Sequence, residues 1–199
     1  RLAKADPVPW IDDLFSDEET GVQFEALRWI ADENHTQFLP AVDELLARDE
    51  LAFEVFEAAV AAHTSLSGTP EVGMRNPELL LARVKSENSS PATRAFALRL
   101  LPVRSMAPVK DSSTPKASLP EGLTIELLQQ LLALKSPELS LEVVRVFSVS
   151  PSTMSEPLVA IAKDESAETR VRAEAVLGLA SVANDHLPLL FDLAEHSDS

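Results

Sequence analysis

The side chains of this 199-residue sequence that could carry chemistry are four histidines, a few carboxylate pairs and two serine pairs, and their spacing disfavours each use in turn. His35, His63, His186 and His196 include no two at a separation of four, and none stands in an HExxH pattern. That pattern is how one helix face offers zinc two nitrogens beside a glutamate base. His35 and His186 fall at expected helix entries, His63 near a helix end and His196 near the chain end, where capping or solvent accounts for them. The pairs Asp12-Asp13 and Glu18-Glu19 stand at helix starts or turns, where the helix dipole favours negative charge. A general acid and base must face a pocket, and nothing in this pattern requires one. Asp17-Glu18-Glu19 lacks the alternating oxygen spacing of a calcium loop. GxGxxG, GxxxxGK and GxSxG are missing, and Ser89-Ser90 and Ser112-Ser113 lie in expected loops rather than beside a base. With no cysteine there is no disulfide, thiolate metal site or redox motif. The expectation is a non-catalytic segment with no metal or cofactor of its own.

The elements behind these residues read as helices. Only five glycines and no alternation of apolar and polar residues speak against strands. The clearest unit runs from Ser155 to Val182 (SEPLVAIAKDESAETRVRAEAVLGLASV). Its first helix, from about Pro157 to Lys163, has Leu158, Val159, Ile161 and Ala162 as its apolar face. After the polar turn 164–166, a second helix over about 167–181 places Val171, Ala175, Val176 and Leu179 on one side. Such a hairpin cannot bury both faces alone and needs neighbours of its own kind. Hairpins are expected at about 7–33, 37–66, 76–102, 123–150 and 155–182, with a half-repeat over 185–199. Their second helices align as FEALRWI (from Phe24), FEAAVAA (Phe56), AFALRLL (Ala95), LEVVRVF (Leu141) and AEAVLGL (Ala173), at offsets of 32, 39, 46 and 32 residues. Pro40, Pro77, Pro157 and Pro188 fall in or near the first turn of the first helices, where proline loses no hydrogen bond. Asn76, Ser90, Ser136, Ser155 and Asp185 occupy the expected N-caps. Trp10, Phe24, Trp29, Phe38, Phe53 and Phe56 recur at helical spacing and are expected in the core, and Gly178 should let two helices approach closely. Together these predict an all-α superhelix, an α-solenoid of about five hairpins and a terminal half-repeat, over 1–199 as one array.

Two connections between hairpins are long, 66–75 and 102–122. The second is rich in Pro, Ser and Lys and reads as an irregular loop. In a stack of hairpins such loops emerge along one edge, and insertions there can form a contact face. Arg104, Met106, Lys110 and Lys116 are therefore the candidate contact residues, although a tolerated insertion explains the same length. The net charge of −15 opposes binding to a phosphate backbone or to an anionic membrane surface. No apolar run approaches the roughly 18 residues of a membrane span. The expected partner is another protein or a neighbouring domain of the same chain, with no nucleic acid and no membrane insertion.

An apolar first helix, a polar or Asp turn and a second helix with V-R-x-x-A-x-x-x-L resemble HEAT repeats of the armadillo-like solenoids. Val171, Arg172, Ala175 and Leu179 match, and Thr93, Arg94, Ala97 and Leu101 match with Thr for Val. Val22 and Ala26 match around Gln23, whereas Leu139-Ser140 departs. The run ALRWIADENHTQFLPAVDELLARDELAFEVFEAAVAA, then PATRAFALRLLP and RAEAVLGLA, further resembles the HEAT region of large secreted bacterial proteins. Those proteins join a dehydrogenase-like β-propeller to a C-terminal c-type cytochrome. The resemblance implies an extracytoplasmic, periplasmic-type spacer, with haem c held by a CxxCH motif outside this segment. The missing Met at position 1 and the uncovered half-repeat at the end fit such an excised region. The alternatives are a free-standing protein-interaction module and a HEAT-like enzyme such as a DNA glycosylase, which would need a basic groove.

Overall fold

The computed structural model describes residues 10–48, 51–68, 76–101, 104–105, 117–149, 151–188 and 190–191. The chain divides into two compact units, Arg1–Leu101 and Pro102–Ser199.

In the first unit, prolines and small polar side chains set where helices begin. Helix α1 spans Ile11–Phe15 and α2 Thr20–Asp32; a 3-10 turn over Thr36–Phe38 runs into α3, Leu39–Leu46. Helices α4 (Phe53–Leu66), α5 (Pro77–Lys85) and α6 (Pro91–Leu100) follow. Pro40, Pro77 and Pro91 sit in first turns, where an N–H would have no helical partner. Asn76 caps α5, its side-chain oxygen accepting from the Leu79 N–H at 2.9 Å. Ser90 caps α6 in the same way, from the Thr93 N–H at 3.1 Å. After α2 the chain reverses through Asn34 at φ 53°, a left-handed conformation that Asn tolerates. Each short-linked pair packs together, α1 on α2, α3 on α4 and α5 on α6. The second helices also meet one another, α2 with α4 and α4 with α6. Phe53 and Phe96 join α4 to α6 edge to face at 5.3 Å, with the Arg99 guanidinium 5.1 Å from the Phe53 ring centre. Leu27, Ile30, Val42, Leu45, Leu46 and Phe56 are fully enclosed. Each such side chain contributes about 1.5–3 kcal/mol by leaving water.

The second unit begins with a two-residue antiparallel pairing, β1 (Arg104–Ser105) with β2 (Ala117–Ser118). Helices α7 (Ile125–Leu132), α8 (Pro137–Ser148), α9 (Pro151–Lys163) and α10 (Thr169–Gly178) follow, and a 3-10 segment spans Ala180–His186. Helix α8 is the centre, with α7, α9 and α10 all against it. Its burial explains its composition: Leu139, Leu141, Val143, Val144, Val146 and Phe147 are all buried. Helix α10 approaches α8 at Gly178, where an added Cβ would lie 3.1 Å from the Ser148 Cβ and 3.3 Å from Leu158 Cδ1. The expected close approach is there.

The chain is helical as expected, and several details differ. Ser155 and Pro157 lie inside α9, which starts at Pro151 and is interrupted at Met154 (φ −123°, ψ 19°). Pro157 causes the break, because its ring excludes the carbonyl four residues earlier and it offers no N–H. The helix proper thus resumes at Ser155, with the proline in its first turn. Ser136 precedes α8 without capping it; its hydroxyl donates to Glu138 Oε2 at 3.3 Å. Asp185 lies within the 3-10 segment, and Thr124 is an unexpected cap, accepting from the Leu127 N–H at 3.2 Å. The connection over 102–122, read as irregular, is pinched at its base by β1 and β2. Trp10, Phe24 and Trp29, expected in the core, are 46%, 40% and 36% exposed, whereas Phe38 and Phe56 are buried. Helical spacing identifies an apolar face but cannot say what covers it.

Candidate functional site

The histidines do not converge. His35 lies edge-on between Trp29 and Phe38, with ring centres at 5.2 and 5.9 Å, and closes the turn after α2 by donating its N–H to Ile30 O. His63 on α4 has its Nε2 3.3 Å from Asp43 Oδ1 of α3, and its buried Nδ1 has no partner among the described residues. His186 belongs to the 3-10 segment, and His196 lies outside the described residues. Among the described residues no three His, Asp or Glu side chains gather as metal ligands would. None of the described helices is long and apolar enough to cross a membrane.

Arginines do recur in one role. Arg94, at the second place of the repeat pattern in α6, donates from Nε to Ser89 O of its own turn at 3.1 Å. Arg172, at the same place in α10, donates to Ala162 O near the end of α9 at 3.3 Å. Arg48 reaches the Phe15 carbonyl at the end of α1, at 2.6 Å. In each case a cation satisfies a carbonyl that a helix end or turn leaves open. Arg28 and Arg145, at the fifth place of the aligned second-helix segments, instead meet carboxylates of their own helices, Glu25 and Asp32 for Arg28 and Glu142 for Arg145.

Among the described residues, each unit carries a concave surface that follows from this packing. In the second unit a cleft of about 400 Å³ opens between the α7–α8 and α9–α10 turns, floored by Leu132, Ile161 and Val171. Lys135, Asp164, Ser166 and Glu168 stand around it. Lys135 takes a left-handed conformation at φ 53° to end the α7 turn. The Ser166 hydroxyl and N–H donate to Asp164 Oδ1 at 2.7 and 3.0 Å. These bonds hold the Asp164 carboxyl below its ordinary range, against a small opposing effect of desolvation, with Lys135 and Arg172 adding attraction. The positive neighbours compensate the cleft's charge. Glu126, in the first turn of α7, is also held low, by its own backbone N–H and then by the Thr124 hydroxyl.

In the first unit a groove of about 390 Å³ runs between α2 and α4. Phe24, Leu27 and Ala31 form one wall; Ala58, Ala61 and Ala62 form the other. Its rim is Asp32, Glu54 and Glu57 against the single cation Arg28, which is held by Glu25 at 3.5 Å and Asp32 at 3.6 Å. Sequence reasoning did not single out this groove. The signal was present in the alanines of FEAAVAA, whose small side chains leave the space.

Of the candidate contact residues, Met106, Lys110 and Lys116 lie outside the described residues. Arg104 lies in β1, at the base of that connection. No family model matches the chain, and neither a curated protein nor a solved structure matches it.

Proposed function

We propose that this chain is a non-catalytic scaffold, an α-solenoid of HEAT-like hairpins. The observation that supports it is the order of packing inside each unit. Every first helix lies on its own second helix, and second helices lie on one another, α2 on α4, α4 on α6 and α8 on α10. Arg94 and Arg172 each brace their own hairpin from the same repeat position, as repeated units would. Such arrays are quasi-one-dimensional, so a hairpin depends on its neighbours and not on the whole. A chain ending at residue 150 is therefore expected to keep cooperative urea unfolding, with an m-value reduced in proportion to the surface removed. Loss of cooperative unfolding would overturn the solenoid reading.

In function the scaffold spaces the domains of an extracytoplasmic, haem-linked dehydrogenase-like protein, a reading supported by the resemblance of the hairpin sequences to that family's HEAT region. The full-length gene product that carries this segment is then expected to hold haem covalently, read from its absorbance after denaturation. A product without covalent haem would remove the electron-transfer role and leave the scaffold. A second reading, an interaction module in its own right, is favoured by the α2–α4 groove, which is apolar, open and rimmed by three acids against one cation.

A further inference from the structure

We infer that the α2–α4 groove is a docking site for a cationic amphipathic helix of a partner protein. The inference rests on the scaffold reading above and adds where the partner binds and what chemistry it brings. The walls come from two packed helices whose backbone groups are satisfied internally, so an extended peptide would find no main-chain partners there. A helix needs none, because its own polar groups are already paired. Ala58 and Ala61 carry no side chain beyond Cβ, which lets a third helix lay a row of i, i+4 residues between the ridges of α2 and α4. From Phe24 to Asp32 the wall rises about 12 Å at 1.5 Å per residue, two turns of an incoming helix. Phe24 is 40% exposed at one end of this wall, an apolar anchor with no cover among the described residues.

Charge selects the partner. Asp32, Glu54 and Glu57 against Arg28 leave the rim net negative, on a chain of net charge −15. Lys or Arg flanking the apolar stripe of the incoming helix would pair with the rim, while phosphate or an acidic helix would be repelled. A groove of this size supports weak, exchanging association rather than a permanent complex.

The test selects helix-forming 18-residue peptides from a displayed random library on the full chain at low ionic strength. Enriched peptides are then measured by titration and mapped by amide chemical shifts. Peptides with Lys or Arg beside an apolar stripe are expected, shifting α2 and α4 resonances and losing affinity with added salt. Glu54→Lys with Glu57→Lys, both on exposed positions, should weaken them at least about tenfold; Ala61→Trp should do the same by filling the groove. Three peptide results would overturn the inference: enrichment of neutral or acidic peptides, wild-type affinity in either variant, or shifts confined to the second unit. The last would leave the scaffold reading standing, since that reading falls only on the truncation measurement. Vesicle binding abolished by Ala61→Trp would assign the groove to lipid and overturn the peptide partner.

Discussion

Helices α2 and α8 carry the same seven-residue pattern and bury it differently. Phe24-Glu25-Ala26-Leu27-Arg28-Trp29-Ile30 aligns with Leu141-Glu142-Val143-Val144-Arg145-Val146-Phe147. The inner positions agree: Ala26, Leu27 and Ile30 are enclosed, as are Val143, Val144 and Phe147. The outer positions do not. Phe24 and Trp29 are 40% and 36% exposed, whereas Leu141 and Val146 are 7% and 4% exposed. The i, i+3 ion pair follows suit. Glu25 and Arg28 face solvent at 3.5 Å, and Glu142 is buried beside Arg145 at 2.7 Å. One motif therefore specifies a helix and its inner face, while the number of neighbours decides the rest. Helix α8 is packed by three helices, whereas on α2 Phe24 faces the groove and Trp29 meets only the His35 ring at 5.2 Å among the described aromatic residues.

The largest effect should separate the last position of the pattern in α8 from the first position in α2. Phe147→Ala empties an enclosed site in the second unit and is expected to lower stability by about 3–5 kcal/mol. Phe24→Ala, at an exposed place of the same pattern, should change it by less than about 1 kcal/mol. Urea midpoints at fixed m-value measure both. Equal losses would mean that Phe24 is covered in solution, and the groove would have to be redrawn.

What the sequence made legible is the part that depends on period alone. The 3.6-residue spacing gives Leu27, Ile30, Val144 and Phe147 as inner residues with no knowledge of the neighbours. Caps were legible where a proline follows at the start of the helix, as at Asn76 and Ser90, and not at Thr124, where Ile125 follows and no proline marks the start. Helical spacing puts Trp10, Phe24 and Trp29 on an apolar face, yet cover comes from another helix and is no property of the motif. The buried Glu142 was equally invisible, since a Glu-x-x-Arg pair reads the same exposed or enclosed. As for the α2–α4 groove, small residues are conspicuous only once a second helix is known to lie alongside.

The paired charges give the next largest difference. Glu142→Ala removes a buried carboxylate that Arg145 and its surroundings are arranged to meet, and a loss of about 1–3 kcal/mol is expected. Arg145 is 43% exposed and can turn to water, which keeps the loss below that of a fully enclosed pair. Glu25→Ala breaks the same pair in solvent and should cost less than about 0.5 kcal/mol. A double-mutant cycle on each pair checks this: coupling in α8 and almost none in α2.

The sixth position of the pattern sharpens the contrast, because it is Trp29, Ala61, Leu100, Val146 and Gly178 in successive helices. At Gly178 helix α8 comes close enough that an added Cβ would meet the Ser148 side chain. Gly178→Ala gains about 1 kcal/mol of helix propensity. It also sets a Cβ 3.1 Å from the Ser148 Cβ and displaces a hydroxyl that donates to Val144 O at 2.8 Å. Overpacking of that kind costs about 1–3 kcal/mol, so a net loss is expected. In a Ser148→Gly background the obstacle is gone, and Gly178→Ala should become neutral or stabilising. A loss of the same size in both backgrounds would place the strain elsewhere.

The smallest effect concerns a charge that is exposed and yet tied down. Asp164 owes its lowered pKa first to the Ser166 hydroxyl and then to the Ser166 N–H. A carboxyl with a folded pKa below its unfolded one stabilises fully above the unfolded value. That contribution fades as pH falls through the folded value. Wild type should therefore exceed Asp164→Asn in urea midpoint near about pH 6 and lose that lead progressively below about pH 4, as the folded carboxyl takes up its proton. Ser166→Ala should shrink the lead by removing the leading bond, while leaving the sign of its pH dependence unchanged. A lead that persists unchanged into acid would show that Asp164 acts as a hydrogen-bonding shape at the turn and not through its charge.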